Sequence, residues 1–410
     1  MHDLSAQHRR AALLALALGG FAIGLTEFVA MGLLPDIAQD LLPGQYARSS
    51  SDAVAHAGWM ITVYAAGVVV GAPTIAALSA RFARKQLVLG LLAMFVAGTV
   101  LSALAPNFGL VLVARFLAAL PHGAYFGAAG MLAATLIGKG SEAKGFAAVL
   151  GGLTAANIVG VPAITALGQA TSWRVAYLAI AGTFALTLAA VALVVPGMAP
   201  APGGSPRAEL SSLRSGQVWL VSLVASIGFA GFFCAYSYIA PVTTHLAGLS
   251  ASTVPWVLVV MGCGMTLGNL VGGVAADHNL KLTLLGGLSA IIASLVLFAL
   301  TAGNPVGVFV SGFAVAATSL FVAPALQARL ISVAPQAQLM GAAMNQSATN
   351  IANSLGAALG GATIAAGFGY RSPAVVGIVL GLVGLGLAAV SFRVERTPTD
   401  PVPEAQPAAL

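Results

Sequence analysis

Long apolar runs separated by short polar breaks set the pattern of this chain. About 30 Å of hydrocarbon is crossed by roughly 20 mainly apolar helical residues. Twelve runs reach that length, at 11–34, 54–78, 86–105, 108–137, 145–168, 175–195, 217–244, 254–276, 282–302, 305–328, 339–367 and 373–392. The first is too long for a signal-peptide core and has no small-residue cleavage site, so it counts as a span. The longest break, PGMAPAPGGSPRAELSSLRSG at 196–216, falls between runs six and seven. Rich in Pro, Gly and Ser, it reads as a linker. The pattern predicts an all-α membrane protein of twelve transmembrane helices in two pseudo-symmetric six-helix bundles, residues 1–195 and 217–410, with a short tail after the last span.

Short cytoplasmic loops of membrane proteins carry an excess of Lys and Arg. With the N-terminus inside, thirteen of the 17 Lys and Arg residues fall on the inner side, among them Arg9, Arg81, Arg84, Lys85 and Lys281. The outer side holds Arg48, Arg174 and Arg371, and Arg115 lies within the fourth span. Both termini are therefore expected in the cytoplasm, and no loop is long enough for a soluble catalytic domain.

Composition agrees. Of 410 residues 59% are apolar and 7% charged, with a mean hydropathy of +0.97. Soluble domains carry about 25% charged residues, so a soluble enzyme, a nucleic-acid binder and a disordered scaffold are all poor readings. The net charge of +6 is scattered rather than clustered, which excludes a nucleic-acid footprint. Cys234 and Cys263 both lie in apolar runs and define neither a disulfide framework nor a metal cage.

The two halves echo each other. Ala76–Lys85 (AALSARFARK) follows the second span and Gly273–Lys281 (GVAADHNLK) the eighth, and Ala155-Ala-Asn157-Ile158 in span five matches Ala348-Thr-Asn350-Ile351 in span eleven. The offsets, 197 and 193 residues, are close to half the chain, as a six-plus-six duplication requires. Repeats of this kind place a substrate site near the midplane.

Glu27 is the one acidic residue inside the twelve apolar runs. A carboxylate at the bilayer centre costs roughly 2.5–3.5 kcal/mol on insertion scales and marks a functional site by default, here one able to take up and release a proton. The alternative is a structural acid in a buried ion pair. Arg115 is the one basic residue within a run. Glu27 lies seven residues before Leu34 and Arg115 seven after Phe108, which sets both roughly 10 Å from the outer rim. Either they pair, or Arg115 caps helix carbonyls or snorkels outward. His122, seven residues after Arg115, shares its face about two turns deeper, and Tyr125 extends that stripe. His122 is a proton relay, a substrate contact, or a neutral ring held by a carbonyl.

On span eleven Gln346, Asn350 and Asn353 recur at i, i+4 and i+7, with Asn157 as the counterpart on span five. Amides suit a neutral or polyhydroxylated ligand, and they equally serve as interhelical packing bonds. Phe229, Phe233 and Tyr236 form an aromatic stripe on span seven that is either part of a substrate pocket or a packing or lipid-facing surface. Gly67 and Gly71, Gly264, Gly268 and Gly272, and Gly356 and Gly360 are spaced for close helix approach, while Pro162 and Pro241 are expected to bend their spans. Gly138-Lys139-Gly140-Ser141 lacks the spacing of a phosphate loop, and no metal motif or nucleophile–base set lies at membrane depth. No metal and no cofactor are expected, and nothing supports ATP-driven transport or an enzyme.

From about Gly20 to Arg393 the chain resembles the major facilitator superfamily, in particular its twelve-span drug:proton antiporter group. The segment Gly24-Leu-Thr-Glu27-Phe-Val-Ala-Met-Gly32-Leu-Leu-Pro35-Asp36-Ile-Ala is similar to the first-span signature of bacterial sugar-efflux and chloramphenicol-resistance exporters. Arg115-Phe-Leu-Ala-Ala-Leu-Pro-His122-Gly-Ala, Gly160-Val-Pro162, Ser172-Trp173-Arg174 and Asn345-Gln-Ser-Ala-Thr-Asn350 match too, and Tyr238-Ile-Ala-Pro241 leans toward the chloramphenicol branch. The loop after span two departs from the family's Gly-x-Leu-Ala-Asp-Arg-x-Gly-Arg-Lys. It keeps Arg81, Arg84 and Lys85 but has Ala80 at the acid and Ala76 and Ala83 at the glycines, whereas the second copy keeps Asp277.

The resemblance implies a bacterial inner-membrane antiporter, working as a monomer in the lipid bilayer with a proton as coupling ion, that exports a small neutral or lipophilic compound such as chloramphenicol or a sugar. It implies proton coupling at Glu27, Arg115 and His122. Substrate contacts are expected at Tyr125, Asn157, Phe233, Tyr236, Gln346, Asn350 and Asn353. Conformational motifs are expected at Arg81, Arg84, Lys85, Gly160, Pro162 and Asp277. A facilitator or importer of a sugar or nucleoside is the alternative, and a channel is disfavoured.

Overall fold

The computed structural model describes residues 5–79, 83–138, 142–197, 215–333 and 338–394. Arg81, Ala80 and most of the linker lie outside them. Among the described residues there are helices and no strands. Twelve helices are long and apolar enough to cross a membrane: α1 Ala6–Leu41, α2 Ser50–Ala72, α3 Arg84–Leu104, α4 Phe108–Ile137, α5 Ala147–Ala170, α6 Trp173–Val194, α7 Gly216–Tyr236, α8 Ala251–His278, α9 Leu280–Thr301, α10 Pro305–Ser332, α11 Met344–Phe368 and α12 Ser372–Arg393. Each predicted run corresponds to one of them. α1 overruns its run at both ends, so Asp36 and Asp40 belong to the same continuous helix as Glu27.

Helices α1 to α6 pack mainly on one another, as do α7 to α12. The two groups meet through α2 on α11, α5 on α8, and α1 on residues 239–241 beyond α7. Advancing each partner by six helices exchanges the first two pairings, the arrangement that a duplicated chain produces. We call the end of the bundle that carries the N-terminus the near face and the other the far face. At the far face the short helix Ser50–Ala57 packs on residues 364–368, and α8 touches mainly the far part of α5. The groups are thus closed together at the far face.

Small residues allow these approaches. A Cβ at Gly264, Gly268 or Gly272 would drive into the backbone of α10 at Phe313, Ala317 or Phe321. Gly67 and Gly71 press in the same way on Phe116 and Leu120 of α4. Without a hydrophobic drive between helices in lipid, such backbone contact supplies much of the packing energy. At the far face the Asp40 carboxylate accepts from Trp173 Nε1 at 2.8 Å and pairs with Arg174 at 3.2 Å. Arg174 Nη1 also donates to the Ala103 and Ala105 carbonyls at 2.9 Å each, tying the ends of α1, α3 and α6 together.

Replacing Gly268 by Val forces α8 off α10 and is expected to cost about 1–3 kcal/mol, the usual price of overpacking. A thermal melt in detergent should show a lowered midpoint for Gly268→Val. Gly273→Ala on the same helix, where a Cβ meets open space, should melt no lower than the parent.

Candidate functional site

Backbone irregularities gather around the middle of the bundle. α4 is interrupted at Leu120–Pro121, and π-helical turns occupy Ala156–Gly160 in α5 and Val224–Gly228 in α7. Pro162 follows the first π turn, and a break at Ser237–Tyr238 precedes Pro241. Proline lacks the N–H and crowds the carbonyl four residues earlier, so the helix widens or breaks on its N-terminal side.

Glu27 projects from an unbroken stretch of α1 and is 7% exposed. Its Oε2 lies 4.0 Å from Nε2 of His122, which is fully buried behind the α4 break. His122 joins three helices. Its Nδ1 lies 3.2 Å from the Tyr64 hydroxyl on α2, and its Nε2 lies 3.2 Å from the amide nitrogen of Gln346 on α11. With the Gln346 N–H donating, Nε2 is the acceptor and Nδ1–H donates to Tyr64, which assigns a neutral ring.

Arg115 does not pair with Glu27. Its Nη1 donates to Thr26 Oγ1 and its Nη2 to the Thr26 carbonyl, both at 2.8 Å. Its Cζ sits 4.1 Å above the Tyr64 ring and 5.4 Å from that of Tyr177. Hydrogen bonds from a charged donor are worth roughly 1.5–3 kcal/mol each, and a desolvated cation–π contact about 2. Together they offset much of the cost of burying the guanidinium, whose Nε is left without a hydrogen-bond partner and whose charge still acts on the Glu27 carboxyl. Of the two arrangements the sequence left open, the structure has the carbonyl-capping one, in which Glu27 keeps no full cationic partner. Arg115 and His122 do share a face, since both reach Tyr64.

The amides of α11 complete the centre. Asn350 Nδ2 donates to the Gln346 carbonyl at 3.0 Å. Asn350 Oδ1 and Asn157 Oδ1 are buried without hydrogen-bond partners, and among the described residues no group but the Glu27 carboxyl engages the Asn353 amide. Asn353 stands beside the Glu27 carboxyl. A buried polar group left unpaired costs about 1–3 kcal/mol, so these amides offer donors and acceptors to a polar ligand.

Of the other expected residues, Tyr236 stands close enough to Glu27 to feel its charge, whereas Tyr125 does not. Tyr125 sends its hydroxyl to the Leu16 carbonyl at 2.8 Å and fills the space left by Gly19, away from this cluster. The aromatic stripe of α7 is buried rather than lipid-facing: Tyr236 stacks on Phe232 at 5.1 Å and meets Phe28 edge-on at 5.8 Å, while Phe233 packs on Phe229, Phe232 and Gly356. Gly160 and Asn157 belong to the π turn of α5, where a Cβ on Gly160 would strike Leu25 and Phe21. Arg84 opens α3, and Asp277 is exposed near the end of α8. Lys85 Nζ donates to the Ala192 carbonyl at 2.8 Å, so it caps α6. Thr26 and Tyr64 were not singled out by sequence. Their signal was slight, a hydroxyl beside Glu27 and a tyrosine inside an apolar run.

The sequence profile described as Major Facilitator Superfamily matches residues 16–247 and 218–409. The chain is 36% identical over 386 residues to the inner membrane transport protein YdhP of Escherichia coli K12, covering 94% of this chain and 96% of that one. It is 31% identical to the putative transporter AraJ of the same organism, covering 94% and 95%. It is 29% identical to the chloramphenicol resistance protein of Streptomyces lividans, covering 94% and 97%. Among solved structures, a bacterial homolog of the human lysosomal transporter Spinster, in an inward-facing and unoccupied conformation, superposes with a TM-score of 0.73 at 15% identity over 95% of this chain and 98% of that one. Twelve membrane-length helices in this packing, and relatives matched from end to end that are themselves transporters, lead to one conclusion: the chain belongs to the Major Facilitator Superfamily and is a multi-pass membrane transporter rather than an enzyme.

Proposed function

We propose that this protein is a proton-coupled antiporter that exports a small neutral or lipophilic compound across a bacterial inner membrane, with both termini in the cytoplasm. The observation that carries the reading is the position of Glu27. It is a buried carboxyl without a full cationic partner, beside a neutral histidine of its own group of helices and the Asn353 amide of the other. A group that can hold or release a proton is thereby within reach of donors and acceptors that can hold a substrate.

In this reading residues 1–195 and 217–410 rock as two halves of a monomer about the 196–216 linker, and the far face is the outer one. Substrate enters from the cytoplasm, engages Asn353, Asn350, Gln346 and Asn157 against the aromatic wall of Phe233 and Tyr236, and favours loss of the Glu27 proton. After the halves rock, substrate leaves and an external proton reloads Glu27. A proton reaching His122 Nε2 would displace the Gln346 N–H, which ties protonation to a contact between the halves. Arg115 holds Thr26, and with it the turn of α1 that carries Glu27. One proton exchanged for a neutral molecule moves charge, worth about 2.3 kcal/mol per 100 mV. The printed names of the relatives support inner-membrane transport and, for one, resistance to chloramphenicol. The orphan amides favour a second reading, a facilitator or importer of a polyhydroxylated solute such as a sugar or nucleoside.

The two readings separate on proton release from purified protein in detergent when candidate substrates are added. The antiporter releases protons on binding, and Glu27→Gln does not. In proteoliposomes the same variant, still folded, should lose its dependence on the pH gradient; full proton-coupled export by Glu27→Gln would overturn the assignment.

Substrate contact and proton coupling should also come apart. Asn353→Ala removes the amide beside Glu27 and is expected to raise the KM for the substrate about tenfold, a loss of roughly 1.4 kcal/mol, while transport stays driven by the pH gradient. Unchanged KM in that variant would make Asn353 a packing residue.

A further inference from the structure

Polar contacts run along α11 from the centre to the far face, first with His122 of α4, then with α2, then with Tyr238. At the centre Gln346 reaches His122. Eight residues farther along α11, about 12 Å at 1.5 Å per residue, Ser354 and Thr62 exchange hydrogen bonds. The Ser354 hydroxyl donates to the Thr62 carbonyl at 3.2 Å, and the Thr62 hydroxyl donates to the Ser354 carbonyl at 3.5 Å. Three residues beyond, the Ala357 carbonyl accepts the Tyr238 hydroxyl at 2.7 Å.

Tyr238 is fully buried and stands at the break in α7, where its backbone leaves helical geometry (φ −114°, ψ 21°). It fills a cradle of three glycines: Gly58 at the head of α2, and Gly360 and Gly361 on α11. A Cβ on Gly58 or on Gly361 would fall onto the Tyr238 hydroxyl, and one on Gly360 would touch its ring at 3.0 Å. Both Gly58 and Gly361 also face the Ala55 carbonyl, at 3.0 and 3.2 Å from such a Cβ. The hydroxyl therefore occupies the point where α2 of one group comes against α11 of the other, and only glycine leaves room for it.

We propose that Tyr238 is the bolt of the far-face gate, and that opening this face requires Gly58 to withdraw from Tyr238 and the reciprocal Thr62–Ser354 pair to part. The proposal rests on the alternating-access reading above and adds to it the residues that hold one end shut. Gly58 and Thr62 lie on the same helix face at i and i+4, so a single tilt of α2 releases both. The break ahead of Pro241 lets Tyr238 shift without carrying the rest of α7.

The test uses the full chain, purified, with Cys234 and Cys263 replaced by alanine and spin labels at Arg48 and Ser252, exposed positions of the two groups at the far face. The parent should show mainly short label distances. Gly361→Ala sets a methyl against the Tyr238 hydroxyl and should raise the long-distance fraction about tenfold, a shift within the range of a minor conformer becoming prominent. Adding Tyr238→Phe removes that hydroxyl oxygen and should return the distribution to that of the parent, which also shows that the glycine site still folds. A parent-like distribution in Gly361→Ala, or a long-distance fraction that Tyr238→Phe leaves in place, overturns the bolt. If pH or substrate separates the labels while the cradle variants behave as the parent, the bolt alone fails. If the labels stay together in every variant and condition, alternating access fails with it.

Discussion

A guanidinium buried between apolar helices has to be satisfied by protein, and the way Arg115 is satisfied determines the rest of the centre. An uncompensated ion at that depth costs several kcal/mol. Two acceptors on Thr26 and the faces of Tyr64 and Tyr177 meet much of that cost. Had Glu27 been the partner, the pair would have been fixed and the acid unavailable for exchange. Because Arg115 holds the residue beside Glu27 instead, the carboxyl is positioned while its oxygens remain open to His122 and Asn353. Tyr64 serves twice in this scheme, with its ring under Arg115 and its hydroxyl on His122.

Around that centre the helices depart from ideal geometry where proline or glycine requires it. Pro121 separates the Arg115 segment of α4 from His122, Pro162 follows the π turn that carries Asn157, and Pro241 follows the break that frees Tyr238. Such irregularities leave carbonyls and side chains aimed across the bundle where a regular helix would bond them internally. The glycine seams do the opposite work: α8 on α10 and α2 on α4 approach until backbone meets backbone within each group, while between the groups Gly262 of α8 lies against the Asn157 backbone of α5.

Most of the fold was legible because lipid permits so little choice. The twelve spans, the candidate acid and the echoes between halves follow from run length, charge scarcity and offset, quantities that side-chain packing does not alter. What the sequence could not give was direction within a helix that is apolar all round. Tyr125 follows His122 by three residues, yet the α4 break and the space at Gly19 turn it toward α1. The aromatic stripe of α7 had no periodic signal to separate lipid from packing, and the structure buries it. Lys85 sits in a loop motif expected to act in conformational change, and its amine donates to a carbonyl at the end of α6. Thr26 and Tyr64 were invisible for the same reason: a hydroxyl on an apolar helix has no pattern until its partner is known.

The chemistry of the seam fits the energetics that a carrier needs. Two conformations can exchange only if they differ by a few kcal/mol. A desolvated ion pair across the seam would bias that balance strongly, because separating it strands two charges. The polar part of the α2–α11 contact is instead the neutral Thr62–Ser354 pair, with bonds worth about 0.6–2 kcal/mol each between membrane helices, beside a tyrosine fitted among glycines. Deeper along α11 the His122–Gln346 contact joins α4 to the same helix, so the place where a proton would change the bonding is also a contact between the groups. In the proposed antiporter, a shift of one hydrogen bond at that contact would be comparable to the whole difference between the two states, which is the condition under which a single proton could decide which face is open.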